Sequence, residues 1–252
     1  MIKMKGSRIR KQTAVQQVVD YIRSYILTNK DYKVMELPPE AQIADEMGVS
    51  RLTIREALTV LESEGLIKKS QGSTTVITSF ARKLSGGLDY AGELGKFIND
   101  CGYESRVDNI SYNWEKSNEE AAKILHIEPK DEILVVRKRF LANTNPAAYC
   151  INRIPQVFLK DKNISENDLG KSMFEFVEER CNCEISHDFM EIIPSLVTSE
   201  IADILELDKG SPILRVDVTK YTIEGYPIMY NTEYYVDELI RFTACRTMPY
   251  VK

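Results

Sequence analysis

The chain has 252 residues, 43% of them hydrophobic, and a formal net charge of −5, enough for one substantial core or two modest ones. No apolar run approaches the roughly 20 residues of a membrane-spanning helix, and Met1-Ile2-Lys3-Met4-Lys5 leads into polar sequence rather than a signal-type stretch, which points to a soluble, cytoplasmic protein with no membrane partner. Cys101, Cys150, Cys181, Cys183 and Cys245 are an odd, scattered set, which argues against a disulfide framework and for reduced thiols.

The charge is unevenly divided. Residues 1–80 hold 12 Lys and Arg against 9 Asp and Glu, a balance of +3, and residues 81–252 hold 21 against 29, a balance of −8. Lys3, Lys5, Arg8, Arg10 and Lys11 form a basic arm without an acid, either a phosphate-facing segment or a solvated terminus.

In chain order, Val15, Val18, Val19, Ile22 and Ile26 have the spacing of one helix face and predict a helix from Ala14 to about Thr28, with Thr13 as N-cap. A short helix is predicted from about Glu40 to Met47, stopping at Gly48. Ser50 caps a third, whose inward stripe is Ile54, Ala57, Leu58 and Leu61 and which ends at Gly65. Leu66 to Lys69 then begins an extended ribbon that turns at Gly72 and returns through Thr75 to Thr78. The third helix presents Arg51, Thr53 and Arg55 near its start, where an α-helix laid in a major groove meets base edges and phosphates. Ser79 to Gly92, with Gly86, Gly87 and Gly92, reads as a linker.

Beyond it lies an internal duplication. At an offset of 80, Glu120/Glu200, Ala122/Ala202, Ile124/Ile204, Leu125/Leu205, Ile133/Ile213, Leu134/Leu214 and Val136/Val216 are identical pairs, and at 81 Pro146-x-x-Tyr149 matches Pro227-x-x-Tyr230. Each half reads as helix, tight turn, long strand, hairpin, strand, an α+β domain whose seam suits a pocket. Alternation places Ile133, Val135, Arg137 and Arg139 on one strand face, so two cations there need either carboxylates of the fold or an anionic ligand. Cys181-x-Cys183-x-x-x-His187 has too short a cysteine spacing and too few ligands for structural zinc, so no metal is expected.

Leu37-Pro38-Pro39-Glu40, Ile43-Ala44, Gly48-Val49-Ser50-Arg51-x-Thr53-Ile54-Arg55-Glu56-Ala57-Leu58, Leu61-Glu62-x-Glu64-Gly65-Leu66-Ile67 and Gln71-Gly72 resemble the winged helix-turn-helix of GntR-family regulators. The resemblance implies double-stranded operator DNA as partner, a homodimer, and Ser50, Arg51, Thr53, Arg55, Gln71 and Gly72 at the DNA. Ala41 replaces a usual Arg, and Ser73-Thr74 the usual Arg-Gly of the wing tip, which alters the operator rather than the binding.

Gly102-Tyr103, Asn118 to Ala122, Glu132 to Ala142, Pro146-x-Ala148-Tyr149, Ile154-Pro155, Ser172-x-Phe174-Glu175-Phe176, Ile185-Ser186-His187 and Gly210 to Leu214 resemble the UTRA ligand-sensing domain of the HutC subgroup, a fold shared with chorismate lyase. That resemblance implies an α+β, chorismate-lyase-like domain in which Arg137, Arg139 and Ser172 hold a small, anionic effector. Cys150 and Met229 stand where relatives often have Glu, which disfavours a hexosamine phosphate. The expected organisation is a winged helix-turn-helix with its arm at 1–78, a linker at 79–92, and a UTRA-type sensing and dimerisation domain at 93–252. With no nucleophile motif and only two histidines, catalysis and a cofactor are not expected; an enzyme of the shared fold and a purely dimerising second domain are the alternatives.

Overall fold

The computed structural model describes residues 13–28, 36–69, 74–81, 93–244 and 246. The basic arm, Gln71, Gly72, Ser73, Cys245 and most of the expected linker lie outside the described residues. The chain divides into two compact units, residues 1–88 with 242–252, and residues 89–241.

The first unit holds α1 (Ala14–Thr28), α2 (Glu40–Met47), α3 (Arg51–Ser63), β1 (Ile67–Lys68) and β2 (Val76–Ile77). Thr13 accepts the amide of Gln16 at 3.1 Å, and Gly48 ends α2 at φ 64°, a left-handed conformation open to glycine at little cost. The stripe of α3 packs with Val18, Val19, Ile22 and Ile26 of α1 and with Ile67 and Ile77 of the ribbon in one core. The ribbon pairs Ile67 with Ile77 and Lys68 with Val76, and Glu36 adds a bridge to Val76 that periodicity does not reveal.

The second unit contains α4 (Leu94–Asp100), β3 (Ser105–Lys116), α5 (Glu119–Leu125), β4 (Glu132–Ala142), β5 (Asn145–Pro155), α6 (Glu166–Gly170), α7 (Met173–Cys181), β6 (Ile185–Leu196), α8 (Ser199–Leu205), β7 (Pro212–Thr222) and β8 (Pro227–Tyr235). Its antiparallel sheet runs β3-β4-β5-β8-β7-β6. Each repeat therefore opens on a strand absent from the sequence reading. Both are edge strands: β3 is rich in polar residues, so the alternation Ile110-x-Tyr112-x-Trp114 carries only a weak strand signal, and in β6 the apolar residues fall side by side, as in Phe189-Met190 and Ile192-Ile193, instead of alternating.

The duplication is faithful down to single hydrogen bonds. The amide of Ser117 donates to the carbonyl of Asp131 at 2.8 Å, and that of Val197 to Ser211 at 2.9 Å. The β4–β5 register breaks after Phe140 and the β7–β8 register after Lys220, 80 residues on (220 − 140). Across the seam β5 and β8 pair from Ala148↔Tyr235 to Arg153↔Tyr230, which sets Ile151 opposite Thr232, its own equivalent at 81 (232 − 151). A pseudo-two-fold axis thus passes through the middle of the sheet.

Cross-strand partners share a sheet face. One face carries Ile133, Val135, Tyr149, Ile213 and Tyr230 and is covered by α5 and α8. The other carries Leu134, Val136, Ile154 and Met229 and is covered by α7 and Leu169 of α6.

The repeats differ at one turn position, where Lys130 sits at φ 74° and Gly210 at φ 85°. A left-handed residue with a side chain costs about 1–2 kcal/mol, partly offset by the lower entropy of its unfolded chain. Lys130→Gly should therefore stabilise the protein by up to ~1 kcal/mol in urea unfolding, and Gly210→Ala, whose added methyl meets no atom within 4 Å, should destabilise it by about 1 kcal/mol.

Candidate nucleic-acid interface and effector site

The turn from α2 to α3 is closed by the amide of Val49 donating to the carbonyl of Ala44 at 3.1 Å. Ser50 is a working N-cap: its Oγ accepts the amide of Thr53 at 3.1 Å and lies 2.9 Å from Thr53 Oγ1. With Ile54, Ala57, Leu58 and Leu61 buried, the opposite side of α3 is exposed, and it carries Arg51, Leu52 and Arg55. Arg51 makes no hydrogen bond or ion pair among the described residues. Arg55 Nε reaches Glu40 Oε2 of α2 at 2.8 Å, yet its side chain is 64% exposed, so this pair is weak and easily exchanged. The ribbon is tied to the same helix, since the Lys69 amide donates to Glu62 Oε1 at 2.8 Å and its Nζ to Thr59 Oγ1 at 2.9 Å. A helix start with exposed cations, flanked by an anchored ribbon, is suited to phosphates and base edges.

In the second unit the three expected effector residues do not converge. Arg137 and Arg139 point to the α5/α8 face, where both have partners. Arg137 donates to Asn113 Oδ1 at 2.5 Å and Glu115 Oε1 at 2.7 Å. Arg139 grips Asp108 with two bonds of 2.8 and 2.6 Å and donates to the carbonyl of Ile204 at 3.0 Å. The Arg139 guanidinium holds the Asp108 carboxyl below its ordinary range. Ser172 is on the other face, as the N-cap of α7, its Oγ accepting the amide of Glu175 at 3.1 Å.

That other face has its own charges. Lys138, between the two arginines in sequence, alternates to it and is 3% exposed. Its Nζ donates to the carbonyl of Lys171, the residue before Ser172, at 2.6 Å, and no carboxylate lies within ion-pair distance among the described residues. Burial lowers its pKa from 10.5 to about 8, with Cys150 and Glu93 opposing. Cys150 stands opposite Lys138 on β5, its thiol pushed well above its usual range by burial, and Glu233 on β8 stands opposite Cys150. Two rows along the same face, Lys220 pairs with Asp188 at 2.9 Å, lies 4.8 Å from the Phe174 ring centroid, and faces Met229. Cys150 and Met229 thus lie beside the two buried lysines. Sequence reasoning passed over Lys138 because its two neighbours drew the attention, although the same alternation that groups Arg137 with Arg139 puts Lys138 with Leu134 and Val136 on the face under α7.

Of the cysteine and histidine cluster, Cys181 is buried at the end of α7, with its pKa raised by burial to about 12. Cys183 Sγ donates to the carbonyl of Cys181 at 3.4 Å, and His187 stacks on Tyr221 at 5.6 Å. No group of three metal-ligating side chains occurs among the described residues, and no helix there is long and apolar enough to cross a membrane.

The family model of the UTRA domain matches residues 100–241, more than half of the chain, and that of the gntR family of bacterial regulatory proteins matches residues 14–77. Over 220 residues the chain is 29% identical to the HTH-type transcriptional repressor NagR of Bacillus subtilis, covering 86% of this chain and 89% of that protein. It is 23% identical over 228 residues to the mannosyl-D-glycerate transport/metabolism system repressor MngR of Escherichia coli, covering 90% of this chain and 93% of the relative. In fold it is similar to the crystal structure of the transcriptional regulator YydK of Bacillus subtilis, with a TM-score of 0.68 at 22% identity over 93% of this chain and 99% of the other. These are DNA-binding regulators, which sets the enzyme alternative aside. The chain belongs to the GntR family of bacterial regulatory proteins, a DNA-binding transcription regulator whose second unit is a ligand-sensing UTRA domain.

Proposed function

We propose that this regulator is a repressor that holds a near-palindromic operator as a homodimer and releases it when a small anion binds the UTRA domain. The observation that carries the effector half is Lys138, a buried cation given a backbone carbonyl but, among the described residues, no carboxylate within ion-pair distance. A buried charge without a counter-ion is costly, and an anionic ligand removes that cost. Ser172, at the start of α7 and next to the carbonyl that Lys138 touches, is the expected effector residue nearest that cation in the chain's bonding pattern. Arg137 and Arg139 are already satisfied, so an anion at either has to displace Glu115 or Asp108.

For the DNA half, Arg51, Thr53 and Arg55 read the operator from α3, Ser50 fixes the start of that helix, and Gln71 and Gly72 add contacts to the DNA. Two copies are needed because one short recognition helix reads too few base pairs for useful specificity. The repressor reading follows the names of the relatives above.

Arg51→Ala and Arg55→Ala should each weaken operator binding by about 1–3 kcal/mol in a fluorescence-anisotropy titration, while the free energy of unfolding stays within about 0.5 kcal/mol of wild type. Full retention of affinity in both would remove α3 from the interface.

Lys138 also gives a pH signature. The folded chain loses its proton near pH 8 and the unfolded chain near 10.5, so between these limits the unfolded state binds more protons and stability rises with pH. Its contribution should be roughly 3 kcal/mol across that window. Urea unfolding of ligand-free wild type and Lys138→Met at pH 7 and pH 10 should show the variant more stable at pH 7 and the difference closing at pH 10. A difference independent of pH would mean that Lys138 is not a buried, unpaired cation.

A further inference from the structure

On the same sheet face, two strands from Lys138, there is a complementary vacancy in the hydrogen bonding. Lys138, Cys150 and Glu233 form one row across β4, β5 and β8. Glu233 is half-buried, and its oxygens accept only from neutral groups, the Tyr235 hydroxyl and Asn231 Nδ2 at 3.2 Å. No cation lies within ion-pair distance of it among the described residues. Beside it Asn231, 2% exposed, leaves its Oδ1 buried with no donor. An orphaned buried acceptor costs about 1–3 kcal/mol, a cost that a bound donor recovers. The face thus carries a cation with unused donors at one end of a row, and a carboxylate plus an orphaned amide oxygen at the other. Between them Cys150 is small and its thiol is held neutral by burial, so it puts no charge between the two ends of the row. The neighbouring Lys220 and Asp188 neutralise each other and add no net charge.

Resting on the reading of Lys138 as the anion's seat, we propose that the effector is a zwitterion, with its anionic group at Lys138 and an ammonium or similarly donor-rich cation at Glu233 and Asn231. Backbones two strands apart are about 10 Å apart, and the lysine and glutamate side chains rising from them suit a ligand with only a few bonds between its charges. The arrangement selects in both directions. A simple anion leaves the Asn231 acceptor orphaned and Glu233 without a counter-ion, and a simple amine leaves Lys138 unpaired.

The test uses the full-length chain and matched probes: ω-amino acids with one to five methylenes and O-phosphoethanolamine, each against its deaminated counterpart, the n-alkanoate or ethyl phosphate. Thermal shift screens the panel and calorimetry measures the affinities. At least one zwitterion should bind about tenfold or more tightly than its counterpart, the worth of a charge-assisted hydrogen bond. Glu233→Gln should reduce that preference to under about twofold while keeping the affinity for the deaminated probe. Asn231→Ser, which leaves the carboxylate in place, should narrow it, and Lys138→Met should abolish binding of both kinds. Equal affinity of the paired probes in wild type, a preference that survives Glu233→Gln, or no binding by any zwitterion would overturn the proposal. Undiminished binding of the deaminated probes by Lys138→Met would instead overturn the reading of Lys138 on which it rests.

Discussion

Everything in the second unit follows from the register between β5 and β8. Because side chains alternate across a strand, sliding one of these strands by a single residue would exchange the contents of the two sheet faces. The register in place sets Ile151 against Thr232 and makes one repeat the two-fold image of the other. It sends Arg137 and Arg139 to the face under α5 and α8, where Glu115, Asn113, Asp108 and the last turn of α8 receive them. It sends Lys138, Cys150, Asn231 and Glu233 to the face under α7. The first face pairs Arg137, Arg139 and Arg215 with carboxylates and leaves Arg153 to Thr232 and the Tyr230 ring, whereas on the second face Lys138 and Glu233, of opposite sign, have no ion-pair partner among the described residues. Leaving a buried cation and a nearby carboxylate both unpaired is costly, which is the physical ground for the proposal that the effector binds under α7.

Much of this was legible in the sequence. The first unit was readable almost element by element, because an amphipathic stripe such as Ile54, Ala57, Leu58 and Leu61, a capping serine and a glycine stop are local signals that tertiary packing reinforces. The duplication was legible too, since equivalent core positions kept identical residues. Two things were not. The first strand of each repeat is an edge strand, polar in β3 and without clean alternation in β6, so neither shows the clear period-2 pattern of a strand. The bridge from Glu36 to Val76 joins segments 40 residues apart (76 − 36), beyond the reach of any periodicity.

The candidate site was legible only in part, for a reason of chemistry as much as of pattern. Ser50, Arg51, Thr53 and Arg55 are brought together by one helix turn, which sequence spacing encodes directly. The proposed effector residues Lys138, Asn231 and Glu233 are brought together by strand pairing, and spacing says only which residues share a face, not what stands opposite. Alternation correctly grouped Arg137 with Arg139, yet whether they meet carboxylates or a ligand depended on Asp108 and Glu115, about 30 and 20 residues earlier on an unrecognised strand. Lys138 was hidden between two more conspicuous cations, and Asn231 and Glu233 are unremarkable until the register sets them beside it.

Release of DNA by an anion requires that the anion favour a state that binds operator less well, and linkage then makes operator weaken the anion by the same factor. Lys138 belongs to the second unit, and under the proposal its loss should separate effector response from operator binding. The decisive measurement is operator affinity by fluorescence anisotropy, for wild type and Lys138→Met side by side, across a panel of small carboxylates, phosphates and amino acids. At least one anion should weaken wild-type binding about tenfold or more, while Lys138→Met binds operator with wild-type affinity and ignores that anion at the same concentration. Release of Lys138→Met by the same anion at the same concentration would contradict the placement of the effector under α7.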